Sequence, residues 1–399
     1  MPTILLKALA LLMGGLQALF FPVAGLLTVG RLTTAALDRV PNAHYDEASA
    51  ALGDPNATPE AKALMAWLKA QYGARMLSGQ FVDPYRDYTP PEFYTEGALD
   101  VRRSYELSVI QDVTGKLPAV IGLDFTGVEF PGAWRDWVTQ FALQWHELGG
   151  VVTFCWHWLA PRDVTRPQSE WSRWESAING VNTNFDLKEA LADKSGAGYQ
   201  WLLQCIEKVA AQLQILQAAG VPVLWRPLHE ASGGWFWWGE DKDAYLELYN
   251  LLYDQLVNEY GLHNLIWVWN AQHPDWYPGD GRVDILGDDP YPPGNLKWLY
   301  PVDPARAVRF KYTLRASGSK MVAMTENDKL PNLDLMWAQN VKWLLFCTWD
   351  REKLLKPDPD DQPWGYLREF SGEYDRAQTV WAVYNDPRVV TLDEINWKS

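Results

Sequence analysis

Eight short apolar segments, separated by helical patterns, constrain the fold of this 399-residue chain more than any other feature. Most of them are nearly continuous apolar runs, which is typical of parallel strands that are covered on both faces. The segments are 75–80, 119–125, 151–158, 221–230, 264–271, 283–289, 320–326 and 342–349.

Amphipathic helical patterns lie between these segments, and one more precedes them. That first helix is predicted to begin after Thr58, a good N-cap, with Pro59 in its first turn, and to continue to about residue 72. The later patterns cover 96–112, 133–148, 199–219, 241–260, 303–317, 332–340 and 375–386.

The alternation predicts an α/β fold, a single (β/α)8 TIM barrel that covers residues 59–399. A doubly wound open sheet is the alternative, but no glycine-rich phosphate loop follows an early strand. The long loop 159–198 carries Trp171 and Trp174 and is expected to lie over the C-terminal face of the barrel.

The N-terminal region differs from the rest of the chain. Residues 4–29 form the longest apolar run, Lys7 precedes most of it, and the small residues LTTAA follow at 32–36. This pattern predicts that 1–35 is a secretory signal peptide or, if it is not cleaved, a membrane anchor. We expect 36–58 to be a flexible segment and the protein to be secreted or periplasmic, or membrane-tethered if the anchor is retained.

Composition narrows the class of partner. The formal net charge of −15 argues against nucleic acid and against anionic lipid surfaces. The 23 tryptophans are the unusual feature, because flat aromatic faces cover the C–H patches of sugar rings. A polysaccharide is therefore the expected partner, and we take a monomer as the default state.

The cysteines predict no disulfide framework. Cys155, Cys205 and Cys347 are odd in number and lie in apolar runs, as buried free thiols do. The polar residues His157, His229, Glu230 and Asp289 suggest a metal site only weakly, because their spacing matches no usual ligand pattern. We therefore predict neither a metal nor a cofactor.

Polar residues fall at the ends of the predicted strands. In a (β/α)8 barrel these ends meet at one rim, where active sites are built. The residues in question are Gln80, Asp124, His157, Trp158, His229, Glu230, Asn270, Asp289, Tyr291, Glu326, Trp349 and Asp350.

Two glutamates stand out because they end the fourth and seventh segments. Paired carboxylates about 5–5.5 Å apart would support glycoside hydrolysis with retention of configuration. Glu230, beside the cluster Trp235–Trp238, is expected to have a raised pKa and to act as general acid and base. Glu326 is expected to stay ionised and act as nucleophile, with Tyr291 donating a hydrogen bond to it.

Three further residues are predicted to contact substrate or to support the pair. Arg226 lies four residues before Glu230 and could pair with a barrel carboxylate, for structure or to tune the nucleophile. His229 is expected in a subsite or beside Glu230, and Trp158 follows His157 at the end of the third segment.

The chain resembles glycoside hydrolase family 26, whose members are mostly β-mannanases, over about residues 60–395. The stretch RPLHEASGGWFWWG at 226–239 is similar to the family motif R-P-x-H-E-x-x-G-x-W-F-W-W-G. Ala231-Ser232 stands where the family often has Met-Asn, and Asn327-Asp328 follows the second glutamate. These differences concern substrate orientation more than the chemistry.

The resemblance implies a role for each matching position. Glu230 would be the acid/base and Glu326, in AMTEN, the nucleophile. His157 in FCWHW would contact the sugar in the −1 subsite and Trp235 would form a subsite wall. Tyr291 in DDPY would bind the nucleophile, and Trp349 in FCTWD would form the aromatic floor of −1.

These observations predict a retaining, endo-acting hydrolase of β-1,4-mannan. Within the family, a β-1,3-xylanase or a mixed-linkage β-glucanase is the main alternative. A non-catalytic polysaccharide-binding barrel would keep the tryptophans and lose a glutamate, whereas this chain has both.

Overall fold

A computed structural model describes residues 38–83, 94–95, 98–129, 134–163, 176–177, 183–291, 304–359 and 366–398. The predicted signal or anchor segment 1–35 lies outside these residues, as do Trp171 and Trp174.

Eight parallel strands close into one barrel, as predicted. Each strand pairs with its neighbours in chain order, and the eighth closes onto the first. The strands are β1 (Gly79–Phe81), β2 (Val120–Asp124), β3 (Val151–Cys155), β4 (Val223–Arg226), β5 (Leu265–Trp269), β6 (Ile285–Asp288), β7 (Met321–Asn327) and β8 (Phe346–Thr348).

Seven of the eight barrel strands are shorter than predicted, and two of these differences have a clear local cause. The segment 75–80 divides, because Met76–Leu77 pairs with Val389–Val390 outside the barrel and only Gly79–Phe81 enters it. The segment 221–230 ends as a strand at Arg226, since the next residue is Pro227, which has no N–H for the ladder. Glu230 therefore lies in a loop beyond the strand.

Ten α-helices are present among the described residues. They are α1 (Asn42–Glu47), α2 (Pro59–Gln71), α3 (Tyr105–Thr114), α4 (Trp134–Glu147), α5 (Leu187–Ala192), α6 (Ala197–Ala218), α7 (Lys242–Tyr253), α8 (Pro304–Thr313), α9 (Leu333–Gln339) and α10 (Ala377–Tyr384). The Thr58 side chain accepts from Ala61 N, which confirms the predicted cap of α2. The helix expected over 96–112 begins later, because Ser104 caps it and α3 starts at Tyr105.

The expectation of a flexible segment at 36–58 is wrong for its described part, 38–58. This part contains α1 and packs on the barrel, with the ring of Tyr45 buried. Gly53 N donates to Asp284 Oδ1 at 2.7 Å, and the Asp54 carboxylate lies 2.7 Å from His263 Nδ1. The polar composition of the segment hid these anchoring contacts.

The described core is continuous and apolar, and it includes the three cysteines. All three are buried free thiols, as predicted. Among the described residues, no helix combines the length and apolar character needed to cross a lipid bilayer.

Candidate active site

A cavity of about 430 Å³ opens at the carboxyl ends of the barrel strands. Its lining residues are His157, Glu230, Trp235, Gln272, Asp289, Tyr291, Glu326, Trp349, Glu352 and Lys353. A larger groove of about 810 Å³ lies along 329–334 and 374–388, but it holds none of the predicted site residues. The smaller cavity is therefore the candidate active site.

The loop after β4 presents Glu230 in an unusual backbone conformation. Glu230 has φ of 53° and Leu228 has φ of 51°, in the left-handed region that side-chain-bearing residues rarely adopt. The Glu230 N–H donates to Asn270 O at 2.6 Å, which ties the loop to the end of β5. Such backbone strain persists where the surrounding structure holds it, commonly at functional sites.

The two glycines of the loop have separate roles. Gly234 has φ of 72°, which glycine adopts without steric cost. A Cβ on Gly233 would lie 2.0 Å from the ring of Trp235, so this glycine lets the indole pack against the backbone. The pair thus places Trp235 at the cavity, where 46% of it is exposed.

The tryptophan cluster beside Glu230 does less for its pKa than expected. Trp237 and Trp238 are fully buried and join loops, since Trp237 Nε1 donates to Trp158 O at 2.7 Å and Trp238 Nε1 to His229 O at 3.0 Å. Trp235 Nε1 donates to Glu230 Oε2 at 2.9 Å, and this bond lowers the pKa of Glu230. The hydrogen bond from Trp235 therefore opposes the rise in this pKa, which burial and the charge of Asp289 cause.

Glu326 lies at an irregularity in β7. Met324 pairs with Phe346 and Asn327 with Thr348, so three steps along β7 match two along β8. A bulge of this kind redirects the side chains that it contains. Glu326 Oε1 accepts from the guanidinium of Arg226, and Oε2 accepts from the Tyr291 hydroxyl at 2.9 Å, which is the predicted hydrogen bond.

Oxygens of Glu230, Asp289 and Glu326 lie within 4.8 Å of one another. Burial, followed by the charge of Asp289, raises the pKa of Glu230 to about 7 and that of Glu326 to about 8. Arg226 lowers both pKa values. The charge of Glu230 adds to the rise in the pKa of Glu326, so the pair keeps one proton into the neutral range.

The hydrogen bonds indicate which glutamate holds that proton. Both oxygens of Glu326 accept, one from a cation and one from Tyr291, and such bonds favour a carboxylate. Among the residues that the structure describes, Glu230 accepts from the neutral donors Trp235 and Gln272. The singly protonated pair therefore carries its proton on Glu230, although burial acts more strongly on Glu326.

Asp289 and Arg226 form a buried ion pair beneath the two glutamates. Arg226 Nη1 lies 3.0 Å from Asp289 Oδ2, and both side chains are fully buried. Asp289 also accepts from Asn270 Nδ2 at 2.7 Å and from Thr325 Oγ1 at 2.6 Å. The single charge of Arg226 is thus shared by Asp289 and Glu326, and its two contacts fix both side chains.

His157 is oriented from behind by Asp124. Asp124 Oδ2 lies 2.6 Å from His157 Nδ1, and Asp124 Oδ1 accepts from His157 N at 3.0 Å. Burial lowers the pKa of His157, but the charge and the hydrogen bond of Asp124, together with the charge of Glu326, outweigh it, and the pKa rises above its ordinary value. His229 Nε2 lies 3.1 Å from His157 Nε2, and burial keeps the pKa of His229 well below its usual range.

Three residues predicted to contact substrate do not line the cavity. Trp158 is fully buried and stacks on Trp156, with ring centroids 4.0 Å apart. The side chains of adjacent residues in an extended segment point to opposite sides, so His157 and Trp158 cannot both face the cavity. Arg226 and His229 are also buried, and they act on Glu326 and His157 respectively.

The other predicted residues do meet at the cavity. Glu230, Glu326, His157, Trp235, Tyr291 and Trp349 all line it. The Trp349 ring packs at 4.8 Å from the ring of Phe81 and 5.6 Å from that of His157.

Sequence patterns missed three lining residues, Gln272, Glu352 and Lys353. Gln272 comes two residues after Asn270, the polar residue near the end of the fifth segment. This position is the one sequence signal that pointed toward Gln272.

Two described clusters offer donor sets that a metal ion could use. One is Glu230, Asp289 and Glu326, where the guanidinium of Arg226 already supplies a positive charge to two of the three. The other is Asp124, Cys155 and His157, where burial raises the pKa of the thiol well above its ordinary value. A neutral thiol is a poor ligand, so neither cluster resembles a usual metal site.

Replacing Arg226 with methionine should destabilise the protein by about 3–5 kcal/mol, because two buried carboxylates lose their counter-charge. The pKa of Glu326, which Arg226 lowers, would rise further, so the native state would retain a proton that the unfolded chain releases. Stability should then fall as the pH rises from about 5 to 8.

Chemical denaturation of the Arg226→Met variant at both pH values measures this effect. Arg102→Met is the matched control, since Arg102 pairs with Asp100 at 2.8 Å on the exposed surface, where such pairs contribute about 0–1 kcal/mol. An Arg226 variant as stable as the wild type at pH 8 would contradict the counter-charge role.

Residues 53–358 match the family model of Glycosyl hydrolase family 26. A curated relative, "Mannan endo-1,4-beta-mannosidase" of Thermothelomyces thermophilus, is 35% identical over 86% of this chain and 63% of its own length. The chain spans between about half and just under two thirds of the length of the first curated relatives that it matches.

Solved structures agree with this assignment. The Podospora anserina GH26-CBM35 β-(1,4)-mannanase superposes with a TM-score of 0.70 at 31% identity, covering 88% of this chain and 70% of that one. A β-mannanase from a symbiotic protist of the termite Reticulitermes speratus, complexed with gluco-manno-oligosaccharide, gives 0.64 at 29% identity, covering 88% and 98%. The chain belongs to glycosyl hydrolase family 26.

Proposed function

We propose that the protein hydrolyses internal β-1,4-mannosidic bonds of mannans with retention of anomeric configuration. The observation that carries the proposal is the close approach of Glu230 and Glu326, whose oxygens lie within 4.8 Å at one cavity. Retaining enzymes hold their two carboxyl groups about 5–5.5 Å apart, whereas inverting enzymes leave about 6.5–9.5 Å for a water.

In the first step Glu326 attacks the anomeric carbon while the bond to the leaving sugar breaks. Glu230 gives its proton to the glycosidic oxygen, so the leaving sugar departs as an alcohol. Arg226 and Tyr291 hold the attacking carboxylate in its charged form and fix its two oxygens. The product of this step is a glycosyl ester on Glu326 and an ionised Glu230.

In the second step Glu230 takes a proton from water, and the water oxygen attacks the anomeric carbon. The bond to Glu326 breaks, which restores its carboxylate and leaves Glu230 protonated for the next cycle. Two displacements on opposite faces return the original configuration. Every group in this scheme is a side chain of the chain, and the proposal requires no metal or cofactor.

The aromatic and imidazole groups of the cavity supply sugar contacts in this proposal. Trp235 is largely exposed beside Glu230 and would form a subsite wall, and Trp349 would form the floor beneath the reacting sugar. His157 is held at the same cavity by Asp124, and its imidazole ring would pack against the sugar.

The preference for mannan is supported by the relatives. The curated protein of T. thermophilus is called a mannan endo-1,4-β-mannosidase, and the termite-symbiont enzyme was solved with a gluco-manno-oligosaccharide. Because one chain provides the whole carboxylate pair, a monomer would be sufficient for activity. The apolar run at 4–29 supports export, to the cell exterior or periplasm or with a retained anchor.

The test is to incubate the protein with mannan, β-1,3-xylan and mixed-linkage β-glucan and to size the products. We expect mannan to be cut into short oligosaccharides with an early fall in viscosity, as endo-acting enzymes produce. Intact mannan beside degraded xylan or glucan would overturn the substrate assignment, and no degradation of any of the three would favour a binding protein.

A further inference from the structure

Gln272 lines the candidate active site from the end of β5. Its backbone φ is 67°, again in the left-handed region that glutamine rarely adopts. Its side-chain Nε2 donates to Glu230 Oε1 at 3.3 Å. This strained residue contacts the proposed acid/base. Backbone strain of this kind persists where surrounding contacts enforce it.

Backbone contacts join this turn to the loop of Glu230. Glu230 N donates to Asn270 O at 2.6 Å, and Ser232 N donates to Ala271 O at 3.1 Å. Asn270 and Ala271, just before Gln272, therefore hold the backbone of the Glu230 loop. The turn of Gln272 and the loop of Glu230 form one hydrogen-bonded unit.

The turn is also held from outside. Arg309 Nη2 donates to Gln272 O at 3.4 Å, and the same guanidinium pairs with Asp288 at 2.8 Å. The strained backbone of Gln272 is thus fixed on one side by Arg309 on α8 and on the other by the Glu230 loop.

We propose that Gln272 is a positioning residue that acts through Glu230, holding its carboxyl group over the cavity and stabilising the ionised form needed in the second step. This inference rests on the proposed function. Gln272 binds Oε1 while Trp235 binds Oε2, so each oxygen of Glu230 has its own donor. Both are N–H donors that bind a carboxylate more strongly than a carboxylic acid.

Several neighbouring groups shift the pKa of Glu230. Asp289 raises the pKa of Glu230, whereas Arg226, Trp235 and Gln272 lower it. Besides Asp289, the ionisable groups that line the same cavity are His157, Tyr291, Glu326, Glu352 and Lys353. If these groups are unchanged, loss of the Gln272 donor raises the pKa of Glu230. The lost hydrogen bond stabilises the carboxylate more than the carboxylic acid.

The experiment compares Gln272→Met, which removes the donor at similar length, with Gln272→Gly, which also relieves the positive φ. In both, the alkaline limb of kcat/KM for a mannan oligosaccharide should move up by about 0.5–1 pH unit. With an aryl β-mannoside whose leaving group needs no acid, kcat should fall about tenfold and KM should fall with it, because the glycosyl enzyme accumulates.

Gln378→Met is the matched control, since Gln378 is exposed on α10 in the other groove. It should change neither the pH profile nor the ratio of kcat to KM. A purely structural role for Gln272 would lower the amount of folded enzyme without moving the alkaline limb, and that result in both variants would overturn the proposal.

A titration that needs no turnover separates this proposal from the proposed function. Carboxyl-¹³C glutamate labelling gives the pKa of Glu230 by NMR, with Glu230→Gln identifying its signal. A higher pKa in both Gln272 variants supports the proposal even if mannan is not the substrate. An unchanged pKa in an enzyme that hydrolyses mannan would reject the role of Gln272 and leave the proposed function intact.

Discussion

Replacing Glu326 with alanine is expected to lower kcat on mannan by about 10⁴-fold or more, because the variant cannot form the glycosyl ester. Binding to mannan should persist, since Trp235, Trp349 and His157 remain at the cavity. Product release from mannan and retardation in a mannan-containing native gel measure the two properties separately. A non-catalytic binding protein would show no hydrolysis to lose.

Azide identifies the face from which Glu326 acts. With an aryl β-mannoside that has a good leaving group, azide should enter the space left by the carboxylate and give an α-mannosyl azide. Glu373→Ala is the control, because Glu373 is exposed and lies outside the cavity, and it should match the wild type. A Glu326→Ala variant that retains its activity on mannan would remove this residue from the mechanism.

Replacing Glu230 with alanine should lower kcat on mannan by about 10²–10⁴-fold, the usual contribution of a general acid. An aryl leaving group that departs as an anion should restore the first step, so the glycosyl enzyme accumulates and KM falls. Azide should then attack that intermediate and give a β-mannosyl azide, the opposite anomer from the Glu326 variant.

The pH profile provides a second check on Glu230. The alkaline limb of kcat/KM should follow loss of the proton shared by the pair, near or above pH 7, because burial and Asp289 raise the pKa of Glu230 to about 7. Glu230→Gln should abolish that limb. If the two variants gave their azide products in the reverse configurations, the roles of Glu230 and Glu326 would be exchanged.

The barrel was predictable because buried parallel strands must be apolar on both faces. All eight predicted segments overlap a barrel strand, and helices lie between them. The ends of the strands were harder to predict from the sequence. The Ser78 hydroxyl donates to Val390 O and accepts from Ala119 N, and so joins two sheets in a way that no local pattern reveals. The packing of 38–58 also depends on partners distant in sequence, such as Asp284.

The carboxylate pair was predictable because barrel topology alone brings the ends of β4 and β7 to one rim. The electrostatics were not, because they depend on the distance from Asp289 to both glutamates and on Arg226 between them. Gln272 could not be identified because a left-handed turn decides where its side chain points. The family resemblance, and not the local pattern, separated the exposed Trp235 from the buried Trp237, since both are apolar neighbours in one motif.

The anomeric configuration of the first product tests the central claim most directly, that Glu230 and Glu326 work as a retaining pair. Proton NMR during the first minutes of mannan-oligosaccharide cleavage detects the new reducing end before it equilibrates. Two successive displacements predict that the β anomer is released first and that the α anomer grows in by mutarotation. Initial release of the α anomer would show a single displacement and would contradict a nucleophilic role for Glu326.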